Sequence, residues 1–141
     1  MERAEIISQL QEAVKSGRNR IASVCGMCGV GKSTIVRYIA HDLVRKKTFD
    51  PVFILDCGTR ESMLGDFFQL GERLEIDNGT HGSISENDKI KNICLKLLKY
   101  KPLLIFDNAD DVLMVQAFMK TLEGYNNRIY MFVTSRNLHA F

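Results

Sequence analysis

The sequence holds little that would take it out of the ordinary globular class. Only two prolines, Pro51 and Pro102, interrupt its 141 residues, and no low-complexity or internally repeated segment is present. Apolar residues make up 45% and charged residues 26%, which excludes an intrinsically disordered chain. No apolar run approaches the roughly 20 residues of a membrane span. Met1 to Gln9 mixes acid and base without a signal-peptide core. A cytoplasmic location with no membrane partner is the resulting expectation. Charge of one sign is also missing: the formal net charge is +2, and Lys and Arg are scattered. The densest cluster, Arg45-Lys46-Lys47, falls where a helix C-terminus favours cations. Nothing here argues for nucleic acid as a partner.

Clustered metal ligands are lacking as well. His41, His81 and His139 stand alone, and of the four cysteines only Cys25 and Cys28 have C-x-x-C spacing. No second pair with ligand spacing accompanies them, so Cys25, Cys28, Cys57 and Cys94 read as small buried hydrophobes or incidental thiols.

What is present is Gly26-Met27-Cys28-Gly29-Val30-Gly31-Lys32-Ser33-Thr34, which fits the phosphate-cradling pattern G-x-x-x-x-G-K-[ST]. A hydrophobic run precedes it and an amphipathic helical pattern follows, the context that the pattern requires. Backbone N–H groups can wrap a polyphosphate only where side chains do not intrude, and Gly26, Gly29 and Gly31 supply that room. Lys32 is expected to reach the β- and γ-phosphates and Ser33 to ligate Mg²⁺, beside the partial positive charge of a helix N-terminus. ATP or ADP with Mg²⁺ is the implied ligand.

The rest of the chain alternates strand and helix patterns. Glu2 to Val14 carries Ile6, Ile7, Leu10 and Val14 on one helical face, and Ile21 to Cys25 is a short buried strand leading into the glycine-rich loop. From Gly31 to Lys47, Ile35, Ile39 and Leu43 form one stripe with Val36, Ala40 and Val44 beside it. Val52 to Asp56 is a second strand, entered through the turn at Asp50-Pro51. A helical stretch broken at Gly65 or Gly71 should follow, turning Met63, Leu64, Phe67, Phe68 and Leu74 inward. After a loop at Asp77 to Gly82, Ser85-Glu86-Asn87-Asp88 reads as a capping box for a helix that buries Ile90, Ile93, Cys94, Leu97 and Leu98.

Lys101-Pro102 ends that helix, and Leu103 to Asp107 delivers a carboxylate to the carboxyl end of a strand, the edge at which open parallel sheets bind ligands. Asp107 thus resembles a Walker B aspartate. Asp110 to Leu122 reads as a helix with Val112, Val115 and Met119 inward, and Ile129 to Val133 as a fourth strand running on to Thr134-Ser135-Arg136. The pattern as a whole predicts an α/β domain with a mostly parallel sheet.

Ile21 to Thr34 (IASVCGMCGVGKST), Leu103 to Asp111 (LLIFDNADD) and Ile129 to Arg136 (IYMFVTSR) together resemble the Walker A, Walker B and sensor 1 blocks of NB-ARC domains, in the STAND class of P-loop ATPases. The resemblance covers nearly the whole chain. It implies a three-layer P-loop NTPase sheet whose strands, numbered in chain order, lie 2-3-4-1. Residues 1–19 would form a flanking helix and 20–141 part of a nucleotide-binding domain. The fifth strand, a small helical subdomain and a winged-helix subdomain of the family would all lie beyond Phe141. Asp107 would hold the metal through water and Arg136 would sense the γ-phosphate, its planar donor fork matching phosphate oxygens.

Two positions depart from the family pattern. Cys28 stands where a further glycine is usual, and Asn108 where many relatives carry a second acid. An amide cannot take a proton from an attacking water, so the expected general base is absent. Three functions stay open: a nucleotide-dependent switch that acts on other protein domains or further copies and hydrolyses slowly if at all; a small P-loop kinase or phosphotransferase; and a non-hydrolysing scaffold. The kinase reading needs a lid with arginines, and the stretch Thr59 to Ser85 offers only Arg60 and Arg73.

Overall fold

The computed structural model describes residues 21–25, 32–47, 49–74 and 84–135. The expected helix over Glu2 to Val14, the flanking segment 1–19, the loop Asp77 to Gly82 and residues 136–141 lie outside them.

Four apolar runs form strands: β1 (Ile21–Cys25), β2 (Val52–Asp56), β3 (Leu103–Asp107) and β4 (Tyr130–Ser135). Between them run α1 (Lys32–Arg45), α2 (Arg60–Arg73), α3 (Glu86–Lys96) and α4 (Val112–Tyr125), with a 3₁₀ turn at Leu97–Lys99 after α3. Among the described residues every pairing of these strands is parallel, and the sheet order is β1-β4-β3-β2. Parallel neighbours need crossover connections, so all four carboxyl ends lie along one edge.

Register assigns the two faces. Phe53, Leu104 and Met131 lie side by side, as do Leu55, Phe106 and Val133. These six belong to one buried cluster with Met63, Phe67 and Leu70 of α2, Ile90, Ile93 and Cys94 of α3, and Val115, Phe118 and Leu122 of α4. Edge-to-face ring contacts of Phe118 with Phe67 and Phe106, at centroid distances of 5.3 and 6.4 Å, tie helix to helix and helix to sheet. On the opposite face Leu103, Ile105 and Phe132 are buried too, and α1 packs there against β2 and β3 with Leu43 fully buried. Phe49 closes that side, its ring 5.2 Å from that of Tyr130. Covered on both faces, β3 reads as an unbroken apolar run rather than an alternating one.

Several local expectations change. The helix expected to break at Gly65 or Gly71 runs continuously through both as α2. Gly65 has open space around it, whereas Gly71 is buried where α2 meets Ile93 of α3. It is therefore a point of close helix approach. Val44 at 54% and Leu98 at 41% exposure do not face inward. For Leu98 the cause is the 3₁₀ turn, whose tighter winding carries it off the stripe set by Ile90, Ile93 and Cys94. The fourth helix starts at Val112 instead of Asp110 and continues past Leu122 to Tyr125, while the last strand begins at Tyr130 and takes in Thr134 and Ser135.

The starts of α2, α3 and α4 are capped by side chains. Thr59 accepts from the Ser62 N–H, Ser85 from that of Asp88 and Asp111 from that of Met114, each satisfying a donor that the first turn leaves unpaired.

Candidate functional site

The chain leaves β1 after Cys25, which pairs in register with Ser135, and re-enters regular structure at Lys32, the first residue of α1. Strand, loop and helix thus follow one another at the carboxyl edge of the sheet. Gly26, Met27, Cys28, Gly29, Val30 and Gly31 fall in that loop, outside the described residues, and so does Arg136, which follows directly on β4. Lys32, Ser33 and Thr34 form the first turn of α1.

Asp107 ends β3 at the same edge, half-buried, in register with Asp56 at the end of β2. Two residues fix its setting. Its carbonyl accepts from the Cys57 N–H (2.8 Å), and its carboxylate Oδ1 accepts from the Thr134 hydroxyl (2.6 Å). Thr134 is itself buried on β4, and its Oγ1 accepts from the Asn108 N–H (3.1 Å). An ionised carboxylate can only accept, so the single hydroxyl hydrogen of Thr134 is directed to Asp107 while a lone pair of Oγ1 takes the Asn108 N–H.

The turn after Asp107 is fastened to β4 at two further points. The Ala109 N–H donates to the Thr134 carbonyl (2.9 Å) and the Ser135 hydroxyl to Asp110 Oδ1 (3.4 Å). Asn108 sits between them with φ of 62°, in the left-handed region that Asn and Asp tolerate best among residues with a side chain. Its amide nitrogen and Asp56 Oδ1 both approach Gly58, at 3.1 and 3.3 Å from where a Cβ would stand. Asp56 also receives a bond from the Gly58 N–H, while the Asp56 N–H donates to Asp66 of α2 (2.8 Å). Beneath this acidic row lies Cys57, fully buried, its thiol pushed up to about 12 by burial first and then by Asp56, Asp107 and Asp66.

Asp107 therefore stands at the edge where β1 ends at Cys25, before residues 26–31 lead to Lys32 at the start of α1. Thr134 lies inside the Ile129–Arg136 block, but the motif attaches a role only to Arg136. The one sequence signal of Thr134 is a hydroxyl at the end of an otherwise apolar strand.

A parallel sheet ordered β1-β4-β3-β2, with a glycine-rich strand-to-helix loop and a strand-end aspartate at one edge, is the architecture of P-loop ATPase domains. The chain belongs to the NB-ARC domain family, whose family model matches residues 2–140. Among curated proteins it is similar to replication factor C subunit 4 of Saccharomyces cerevisiae, with 27% identity over 129 residues that cover 87% of this chain and 34% of the relative. Similar solved structures include Cdc6p from Pyrobaculum aerophilum, with a TM-score of 0.66 and 17% identity over 96% of this chain and 39% of that one. Another is the ORC2 protein of Aeropyrum pernix, solved as ADPNP–ADP complexes, with a TM-score of 0.60 and 13% identity over 98% of this chain and 41% of that one. At these identities the solved structures speak for the fold. The chain spans about a third of the curated relative and about two-fifths of each solved neighbour.

Proposed function

We propose that this chain is the ATP- or ADP-binding module of a STAND-type signalling switch. Nucleotide would lie on Gly26 to Thr34, and Mg²⁺ would be held by Ser33 and Asp107. The observation that carries the reading is the Asp107 carboxylate, half-buried at the carboxyl edge with one oxygen fixed by Thr134, on the side of the sheet where the loop between Cys25 and Lys32 departs. Family membership over residues 2–140 supports it. In the same reading residues 1–19 flank the nucleotide-binding portion, 20–141, as a helix.

The donor set suits Mg²⁺. A carboxylate and a hydroxyl are hard oxygen donors, and Mg²⁺ commonly takes one or two carboxylates and completes its shell from phosphate and water. Among the described residues no group of three or more His, Cys, Asp or Glu could hold a metal without such help. When bound, the ion would neutralise charge on the phosphate oxygens. Lys32 would pair with the β- and γ-phosphates, and Arg136 would contact the γ-phosphate through its fork of donors. Switching would follow if nucleotide state changes the contacts of this module with other domains or with further copies of the chain, since a ligand shifts an equilibrium only through such differences. A cytoplasmic setting is part of the proposal.

One observation favours a second reading, a binding module that does not hydrolyse. Asn108 occupies the position after Asp107 with an amide, which cannot accept a proton from water. Phosphate release from Mg·ATP without any acceptor supports a switch ATPase, acceptor-dependent ADP formation a phosphotransferase, and neither supports the binding module. Nucleotide binding itself is tested by Lys32→Ala in titration calorimetry with Mg·ADP. The expected result is loss of measurable heat, because the substitution removes the cation aimed at the phosphates. Unchanged affinity overturns the assignment of the loop.

A further inference from the structure

We infer that the outer side of α3 and of the 3₁₀ turn after it is a docking surface for an acidic amphipathic helix of a partner protein. Leu95, Leu98 and Tyr100 form its apolar centre, and Lys91 and Lys99 are its principal cations. The surface ends at Lys101, just before β3 begins, so it lies toward the amino edge of the sheet and away from the candidate nucleotide site. It stands whether or not nucleotide binds.

Three observations carry it. The first is the grouping of exposed apolar side chains. Among the described residues six large ones are exposed, and three of these, Leu95 at 43%, Leu98 at 41% and Tyr100 at 38%, fall within six consecutive residues. Scattered exposed leucines are ordinary, whereas a grouped set rimmed by charge marks a contact surface.

The second is charge. Lys89 to Lys101 holds five lysines and no acid. Among the described residues the ion pairs use Arg45, Lys46 and Arg60 and none of these five, and Glu86 at the start of α3 is taken by Arg60. Complementing the helix dipole accounts for Lys96 and Lys99 at the carboxyl end. It does not account for Lys89 and Lys91, which lie in the first half of the helix, where cations oppose the dipole.

The third is the fixed placement of the outermost cations. Lys89 Nζ lies 5.6 Å from the centre of the Phe68 ring, and Lys101 Nζ lies 5.7 and 5.9 Å from those of Phe49 and Tyr130. Ammonium groups held over rings keep their positions, which suits carboxylates fixed on a folded partner better than mobile lipid headgroups. The apolar residues are also only about two-fifths exposed, little area for a bilayer, where binding scales with the apolar area buried. An apolar centre with a charged rim is the anatomy of a protein contact. Its complement is a helix with leucines along one stripe and Asp or Glu beside them.

The probe is an acetylated, amidated peptide of about 15 residues, long enough for a helix, with leucine at i, i+3, i+4 and i+7 and glutamate on either side. A counterpart carries lysine at every glutamate. Binding is followed by peptide fluorescence anisotropy and by amide shifts of ¹⁵N-labelled protein, with vesicles of phosphatidylcholine, with and without phosphatidylserine, run in parallel. The glutamate peptide is expected to bind and to shift amides within residues 89–101, and the lysine peptide to bind at least about tenfold more weakly. The double variants Lys91→Glu with Lys99→Glu, and Leu95→Ser with Leu98→Ser, should each weaken the glutamate peptide at least about tenfold. Arg37→Glu, at an exposed cation of α1 across the sheet, should stay within about twofold, since distant surface charges are screened.

Failure of the glutamate peptide to bind, equal binding of the two peptides, or binding that the α3 variants leave unchanged overturns the inference. Attachment to phosphatidylserine vesicles without peptide binding also overturns it and assigns the surface to lipid. Absence of ADP binding overturns the nucleotide reading alone. Should the leucine variant fail to fold, Leu95→Ala with Leu98→Ala makes the same distinction, because alanine keeps helix propensity.

Discussion

Gly71 of α2 lies so close to Ile93 of α3 that a Cβ built on it would fall 2.7 Å from Ile93 Cδ1 and 2.8 Å from Cγ1. Ile93 is fully buried, so a shift of its side chain must displace other core residues. Gly71→Ala therefore sets two effects against each other: a gain in helix propensity of about 1 kcal/mol and an overpacking cost of about 1–3 kcal/mol. Net destabilisation by about 1 kcal/mol is expected in urea unfolding, and the double variant with Ile93→Val, which removes Cδ1, should lose less than the sum of the two singles. Gly65 is the control. Nothing lies within 4 Å of a Cβ at that position, so Gly65→Ala should stabilise by up to about 1 kcal/mol.

A second stability prediction concerns Asn126, a buried polar residue between α4 and β4. Its side-chain N–H donates to the Cys94 carbonyl (2.8 Å) and its side-chain oxygen accepts from the Arg128 N–H (2.9 Å), so one amide joins the end of α3 to the turn before β4. Asn126→Ala leaves two backbone groups without that partner and should cost about 1–3 kcal/mol. Asn126→Asp should cost at least as much, since it replaces the donor to Cys94 with an acceptor. The Arg60–Glu86 ion pair is the contrast. Both side chains are about half exposed, and Arg60→Ala should alter the unfolding midpoint only slightly.

These residues show where sequence reading reached and where it stopped. The four strands and four helices are legible because apolar residues repeat with one period or run unbroken, and because Ser85 and Asp107 mark ends by their chemistry. A glycine within a helical pattern is ambiguous. It reads as a breaker from composition alone, and only the neighbouring helix reveals Gly71 as a contact. Asn126 has the same ambiguity, since an asparagine after a helix reads as a turn until its two backbone partners, one of them 32 positions away, are known. Thr134 escaped for a related reason. The motif fixes which residues follow one another along a strand, but the bond to Asp107 depends on the β3–β4 pairing, which no local pattern encodes.

The buried thiols make the fold sensitive to high pH. Burial raises Cys94, and burial together with the carboxylates of Asp56, Asp107 and Asp66 raises Cys57, each from 9.0 to about 12. Both groups are neutral when protonated. The folded state therefore keeps its protons where the unfolded state has lost them, and the contribution is fully present below about pH 9. Between about pH 9 and 12 stability should fall by about 1.4 kcal/mol per pH unit for each thiol. Urea midpoints at pH 8, 9 and 10 measure this, and Cys94→Ala should flatten the slope even though it lowers stability at pH 8. Iodoacetamide at pH 8.5, followed by peptide mapping, should label Cys57 and Cys94 only as fast as the protein unfolds.

The last prediction joins backbone conformation to chemistry at Asn108. Its φ of 62° restricts what can stand there: aspartate is accommodated nearly as well as asparagine, whereas glutamate or alanine would carry about 1–2 kcal/mol of left-handed strain. Asn108→Asp thus adds a proton acceptor one residue after Asp107 with little structural cost. Turnover of Mg·ATP, measured as phosphate release, should rise by at least about tenfold if a missing base limits hydrolysis. The added carboxylate would approach Asp56, since the Asn108 amide and Asp56 Oδ1 already crowd the same point beside Gly58. Like charges at close range raise the pKa of the pair, so the rate should climb with pH along a limb displaced upward from the usual carboxylate range. Asn108→Glu should gain less than Asn108→Asp, because the strained backbone opposes it. If neither variant exceeds wild type, Asn108 is not what limits hydrolysis, and the limit lies in contacts beyond this turn.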